Sequence, residues 1–289
     1  QLSPDVAVDL SGWTGGNFQA GFFARLAPVQ VNYLGYYAST GLPVTDYWLG
    51  DDYLFPNPMC EWHTEQPFRL DRCFIAWNPQ EPLPEASACI DDVSIRSGGI
   101  RFGSFNNNRK FSDQTLLTWG KLLKAIPDSS LVLKANHQDD FHTMELLRRR
   151  MQRQGLDTER VIWLPRTTEA KDHLSQYVHI DVALDCFPNG GCTTTCEALW
   201  MGTPVITLTG NSYVGRMSTA VLNGAGMSEW CASSESHYLE IASMQAENLP
   251  WLRQNRAHWR SQLQANPLGD TGDLLCNLEL AFEFMSNNT

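Results

Sequence analysis

The chain contains no run of eighteen apolar residues, no C-x-x-C pair, no low-complexity tract and no repeat of fixed period. The first absence leaves no helix able to cross a bilayer, so no membrane partner is expected. The second bears on eight scattered cysteines, Cys60, Cys73, Cys89, Cys186, Cys192, Cys196, Cys231 and Cys276, and indicates neither a zinc module nor a disulfide framework. Cys192 and Cys196 stand one helical turn apart, but no His near them in sequence completes a ligand set. These two read as packing residues of a reducing compartment, and the cytoplasm is the expected location. Basic charge is also scarce: 21 Lys and Arg stand against 32 Asp and Glu, a net charge of −11, which argues against nucleic acid as a partner. The main basic cluster, Arg148-Arg149-Arg150 with Arg153, falls on one predicted helix and reads as a solvated face. The chain opens Gln1-Leu2-Ser3-Pro4, without Met or a charged-then-apolar leader pattern, and reads as starting inside a longer protein or after processing.

At 289 residues there is length for two modest domains with a real core. From about 101 to 267, strand and helix signals alternate. Strands are expected at Arg101–Phe105, Leu131–Leu133, Val161–Leu164, Val182–Leu184 and Pro204–Leu208. Helices are expected after Ser112, over Phe141–Gln154 (ended by Gly155), Glu169–Tyr177, after Thr193, and over Ser212–Leu222. That alternation predicts an α/β, doubly wound parallel sheet, whose ligands sit at the carboxyl ends of the strands. Residues 1 to 95 differ, with strands expected near Val6, Val29 and Tyr47 and one short helix over Phe18–Leu26. Pro79–Pro84 and Ser94–Gly99 read as linker. Three further helices are expected at Leu239–Ala246, Leu252–Gln264 and Leu274–Met285.

One stretch carries most of the chemistry: Asn189-Gly190-Gly191-Cys192-Thr193-Thr194-Thr195-Cys196-Glu197. It follows the apolar Val182-Ala183-Leu184 and opens a helix. Two glycines would let backbone N–H groups approach a ligand, and the helix start adds partial positive charge, a place for a phosphate or diphosphate. Glu197, one turn in, could accept from ribose hydroxyls. It could equally close a capping box with Thr194. Trp200, Leu199 and Met201 read as core.

Four strings stand in order along the chain. The first is Tyr33-Leu34-Gly35-Tyr36 with Thr40-Gly41-Leu42-Pro43 and Asp46-Tyr47. The second is Phe102-Gly103-Ser104-Phe105-Asn106-Asn107 with Lys110. The third is His173 ahead of Asp181-Val182-Ala183-Leu184-Asp185. The last is the glycine–threonine loop running into Met201-Gly202-Thr203-Pro204-Val205. In this order and spacing they resemble the catalytic region of the O-GlcNAc transferase / SPINDLY glycosyltransferases, family forty-one, in its SPINDLY or bacterial branch.

The resemblance implies a GT-B fold: a partial N-terminal, acceptor-side domain over 1–95, a nucleotide-sugar domain over 96–268, and a C-terminal helix over 269–289 packing back on both. It implies truncation, with the superhelical repeats that bind protein substrates absent. It implies transfer of GlcNAc from UDP-GlcNAc, or fucose from GDP-fucose, to Ser and Thr hydroxyls of a protein or peptide acceptor. Position by position, Lys110 matches the lysine that contacts the donor diphosphate, Asn106 and Asn107 the polar pair beside it, and His173 a residue against base or ribose. Gly190, Gly191, Thr193 and Thr194 match the phosphate loop, Glu197 the acidic ribose contact, and Thr168 a backbone contact to the base. Cys192 stands where the animal enzyme has a donor-contacting His. Asp5 is the one candidate general base. On the residues alone, Lys110 and His173 also read as surface side chains, Asn106 and Asn107 as turn caps, and Asp5 as a carboxylate at a strand start.

No Asp-x-Asp occurs, so no metal site and no cofactor is expected. The leaving diphosphate would be stabilised by Lys110 and the helix start. Two other readings stay open: a GT-B transferase with a different acceptor, and a nucleotide-binding remnant without catalysis. The tryptophans Trp13, Trp48, Trp62 and Trp77 could line a cleft or belong to the core.

Overall fold

The computed structural model describes residues 3–59, 61–79, 84, 98–134 and 140–288. Among them, two parallel sheets form. The first comprises β1 (Val6–Asp9), β2 (Val29–Asn32), β3 (Tyr47–Asp51) and β4 (Gln66–Leu70), side by side in chain order. A single helical turn, α1 (Gln19–Phe22), links β1 to β2.

The second sheet alternates with helices: β5 (Arg101–Ser104), α2 (Asp113–Ala125), β6 (Ser130–Leu133), α3 (Phe141–Arg153), β7 (Val161–Trp163), α4 (Ala170–Ser175), β8 (Val182–Leu184), α5 (Thr193–Trp200), β9 (Val205–Leu208), α6 (Tyr213–Gly224) and β10 (Cys231–Ala232). Then come α7 (Glu235–Glu247), α8 (Leu249–Gln254), α9 (Arg256–Gln264) and α10 (Thr271–Asn287). The strand order is β10-β9-β8-β5-β6-β7. The chain winds outward from β5 through β6 to β7, returns to the other side of β5 at β8, and winds outward again. At such a reversal the loops after the two central strands diverge and leave a crevice at their carboxyl ends. Here those strands are β5 and β8.

Helices on both faces bury the central strands, and every residue of β5 and β8 is buried. Leu131, Val132 and Leu133 are wholly buried, as are Leu116, Trp119 and Leu122 on the inner face of α2. The two sheets are joined through side chains. Trp48 of β3 stacks on Tyr213 of α6, ring centroids 4.5 Å apart. The Arg216 guanidinium donates to the Leu54 carbonyl at 2.7 Å and pairs with Glu61. Any side chain at Gly224 would place Cβ 2.5 Å from the Cys73 sulfur, so α6 approaches the first sheet only as glycine.

Four local expectations need correcting. The helix over Phe18–Leu26 reduces to one turn, because Arg25 takes φ +52° and Pro28 follows. The helix over Leu252–Gln264 is two, α8 and α9, broken at Asn255. Strand β4 was not expected, because Pro67 lacks a ladder donor. An edge strand such as β4 is where proline is tolerated. Strand β10 is too short to carry a periodic signal. Most of the two expected linkers lies outside the described residues, as do Cys60 and Cys89. The six described cysteines form no disulfide with one another, and Cys276 is exposed. The arginine cluster on α3 is solvated and pairs with Glu145, Glu159 and Asp113.

Candidate active site

The crevice between the loops after β5 and β8 gathers most of the expected residues. From the β5 side come Asn106, buried, and Lys110, half-buried at the end of a short turn over Asn108–Lys110. From the β8 side come Gly190, Gly191, Cys192 and the start of α5. Lys110 Nζ donates to the Gly190 carbonyl at 2.6 Å, so the ammonium lies directly against the glycine loop.

Asp185, the residue after β8, organises this loop, a role that its place at the end of the third motif string did not reveal. Its side chain is fully buried. Oδ1 accepts from the Gly191 N–H at 2.8 Å and the Asn106 amide at 3.1 Å; Oδ2 accepts from the Thr207 hydroxyl at 2.8 Å. Burial pushes its carboxyl above the usual range, and hydrogen bonds from Ser218, Thr207 and Gly191 pull it back. Asn106 in turn accepts at Oδ1 from the Thr194 hydroxyl at 3.1 Å, linking the β5 loop to the start of α5. A buried acid followed by a glycine loop was the available signal, hidden because Asp185 sat inside a motif string without a role of its own.

The glycines act differently from expectation. The Gly191 N–H is spent on Asp185, and that of Gly190 on the Val214 carbonyl at 3.3 Å. Neither is left for a ligand. What Gly191 provides is room: a Cβ there would lie 2.6 Å from the Thr194 hydroxyl and 2.8 Å from that of Thr195. The donors available to an anion belong instead to the first turn of α5, where the N–H groups of Thr193 and Thr194 have no intrahelical acceptor. Lys110 is bonded to Gly190, three residues before that turn, so lysine and helix start bring positive charge to the same loop.

The capping-box reading of Glu197 does not hold. Helix α5 starts at Thr193 with Cys192 as its N-cap and no side-chain cap bond. Thr194 lies inside the helix and turns its hydroxyl to Asn106. Glu197 faces His173, with Nε2 and Oε2 3.4 Å apart. His173 on α4 also packs near Phe105, ring centroids 5.6 Å apart. Asn107 caps its own turn, accepting from the Arg109 N–H at 3.0 Å, and stays exposed. Thr168 is exposed just before α4. Asp5 lies apart: it is exposed at the beginning of β1, while the crevice opens at the carboxyl ends of the strands. One strand length, about 13 Å at 3.3 Å per residue, separates it from that end, so the structure does not bring it together with the other expected site residues.

Facing the glycine loop from the first sheet, a cavity of about 290 Å³ is lined by Tyr33, Leu34, Gly35, Tyr37, Trp77 and Cys192, among others. Burial pushes the Cys192 thiol up to about 12, with Lys110 opposing, so it remains a neutral S–H beside the positive site. Trp77 therefore borders the cleft; Trp48 is core, and Trp13 and Trp62 are exposed.

A model of glycosyl transferase family 41 matches residues 89–277. The chain belongs to glycosyltransferase family 41. Among curated family 41 relatives, it is 33% identical over 281 residues to the "Probable UDP-N-acetylglucosamine--peptide N-acetylglucosaminyltransferase SPINDLY" of Oryza sativa subsp. japonica, covering 97% of this chain and 30% of that protein. It is 27% identical to the SEC protein of Arabidopsis thaliana, over 98% of this chain and 29% of that protein. The chain thus spans less than a third of these relatives' length. Among solved structures, an O-GlcNAc transferase mutant from Thermobaculum terrenum superposes with a TM-score of 0.87 at 34% identity, covering 98% of this chain and 53% of that one. Sucrose-phosphate synthase from Thermosynechococcus elongatus shares the fold, with a TM-score of 0.61 at 12% identity, over 94% of this chain and 72% of its own. The fold is GT-B, as the motif strings implied.

Proposed function

We propose that this chain binds a nucleoside diphosphate sugar in the β5–β8 crevice and transfers its sugar to Ser or Thr hydroxyls of a protein acceptor. The observation that carries the reading is the bond of Lys110, from the β5 side, to the glycine loop that leads into the first turn of α5, with Asp185 and Asn106 holding that loop. Family 41 membership and relatives named as peptide N-acetylglucosaminyltransferases support it.

The reaction is an inverting displacement. The acceptor hydroxyl attacks the anomeric carbon and gives up its proton to water, the bond to the diphosphate breaks, and charge builds on the departing oxygen. Lys110 is a compact, mobile point charge that follows that charge. Its bond to the Gly190 carbonyl uses one of its three protons and keeps it in place between turnovers. The first-turn N–H groups of α5 are fixed donors needing no reorganisation as charge develops. Glu197 and His173 lie one turn further along, where the ribose would sit if the diphosphate occupies the helix start. Stabilisation by a lysine and a helix end makes the transfer independent of a metal. The donor is UDP-GlcNAc or GDP-fucose, and the relatives' printed names favour the first.

Transfer assays with both donors, using a mixed-peptide acceptor pool and mass-spectrometric readout, test this. Modification of Ser or Thr by one donor, dependent on Lys110, is the expected outcome. Tight nucleotide binding without transfer to any acceptor would instead mark a nucleotide-binding module.

A further inference from the structure

Lys134 follows β6, a strand that none of the four motif strings includes, yet its ammonium reaches the same crevice. Nζ donates to the Thr167 hydroxyl at 2.7 Å and meets His173 Nδ1 at 2.8 Å, and it lies 5.9 Å from the centroid of the Phe105 ring. The other nitrogen of the same imidazole, Nε2, faces Glu197 Oε2 at 3.4 Å. An ammonium has donors only. Nδ1 must therefore offer its lone pair to Lys134, and the ring proton sits on Nε2, aimed at the Glu197 carboxylate. In the opposite tautomer two lone pairs would face each other at Nε2, and an N–H would face the ammonium at Nδ1. Glu197 Oε1 has no protein partner among the described residues.

We propose that Lys134 is a positioning residue for the nucleotide ribose: it fixes His173 as an Nε2–H donor, which anchors one oxygen of Glu197 and turns the other to the ribose hydroxyls. The inference deepens the donor-site reading and rests on it. The chain Lys134, His173, Glu197 has the logic of outer groups that orient an inner ligand through a histidine. The acids whose field reaches Lys134 are Glu197 and Asp172; both favour its charged form, whereas its burial disfavours it. Thr167, next to Thr168 in that loop, is the threonine that accepts from the Lys134 ammonium.

Two readouts test this on the full chain. Long-range proton–nitrogen correlation of histidine-labelled protein should show His173 protonated at Nε2 in the wild type and as a tautomer mixture in Lys134→Met. In titrations with UDP and GDP and their 2′,3′-dideoxy forms, the wild type should lose roughly tenfold in affinity when the hydroxyls are removed, the worth of one hydrogen bond to a charged group. Lys134→Met should close that gap, and Lys134→Arg should keep most of it, with a melting curve as the check on folding. An unchanged tautomer in Lys134→Met, or an undiminished ribo-to-dideoxy ratio, overturns the role of Lys134 while leaving the donor site standing. A wild type that binds neither UDP nor GDP overturns the donor site, and the ribose role with it.

Discussion

At the scale of single residues, the site depends on a few side chains whose surroundings set their chemistry. Replacing Lys110 by Ala removes a mobile cation held against the glycine loop. Loss of one such donor typically lowers turnover by 10²–10³, roughly 3–4 kcal/mol of barrier. We expect kcat to fall by about that factor while donor affinity weakens less, read by steady-state transfer beside titration. Gly191→Ala should be damaging for a different reason. Its Cβ would meet two hydroxyls on the first turn of α5, at 2.6 and 2.8 Å. Overpacking of this kind costs about 1–3 kcal/mol, so both the melting temperature and nucleotide binding should drop. Asp185→Ala leaves the Gly191 N–H, the Thr207 hydroxyl and the Asn106 amide without their acceptor. At about 1–3 kcal/mol for each unsatisfied buried group, the loss should exceed that of a surface change several-fold in chemical denaturation. Cys192 offers a test of charge. Its thiol is held up at about 12 by burial, and reactivity follows the thiolate. At pH 8, iodoacetamide should alkylate exposed Cys276 well before Cys192, measured by peptide mass spectrometry; the reverse order would contradict a neutral Cys192.

At the scale of elements, the second sheet was legible because periodicity, caps and glycine stops agreed. Ser112 caps α2 as expected, accepting from the Thr115 N–H, and Gly155 ends α3 with φ +77°. Elements escaped where a local signal conflicted with tertiary context: Pro67 inside β4, the two residues of β10, and Asn255 splitting α8 from α9. The site was legible in its parts, since Lys110, Asn106, Cys192, Thr194, Glu197 and His173 all reach the crevice. Their connections were not, because Asp185 and Lys134 act through contacts between separate strands, which no spacing along the chain records. Helix α10 carries a prediction at this scale. Phe284 packs against Phe68 of β4, centroids 5.7 Å apart, and Arg72, almost wholly buried, donates to the Asp270 carbonyl at 2.7 Å and pairs with Asp273 at 2.9 Å. Removing residues 271–287 should lower the melting temperature and leave Arg72 without its ion-pair partner. An unchanged transition would show that the helix is dispensable to the first sheet.

For the whole molecule, the two sheets turn their carboxyl ends toward one cleft, and that arrangement makes the account one claim rather than several. The β5–β8 reversal opens the crevice, α5 and Lys110 make it positive, and Tyr33, Leu34 and Trp77 close it from the first sheet. Arg216, Tyr213 and Gly224 on α6 hold the sheets together next to it. The most direct measurement is calorimetric titration of the chain with UDP and GDP, with Lys110→Ala alongside. The account predicts saturable binding of one nucleoside diphosphate, weakened in the variant: UDP for a GlcNAc donor, GDP for a fucose donor. Binding of neither, or equal binding by wild type and variant, would contradict the assignment of this crevice as the donor site.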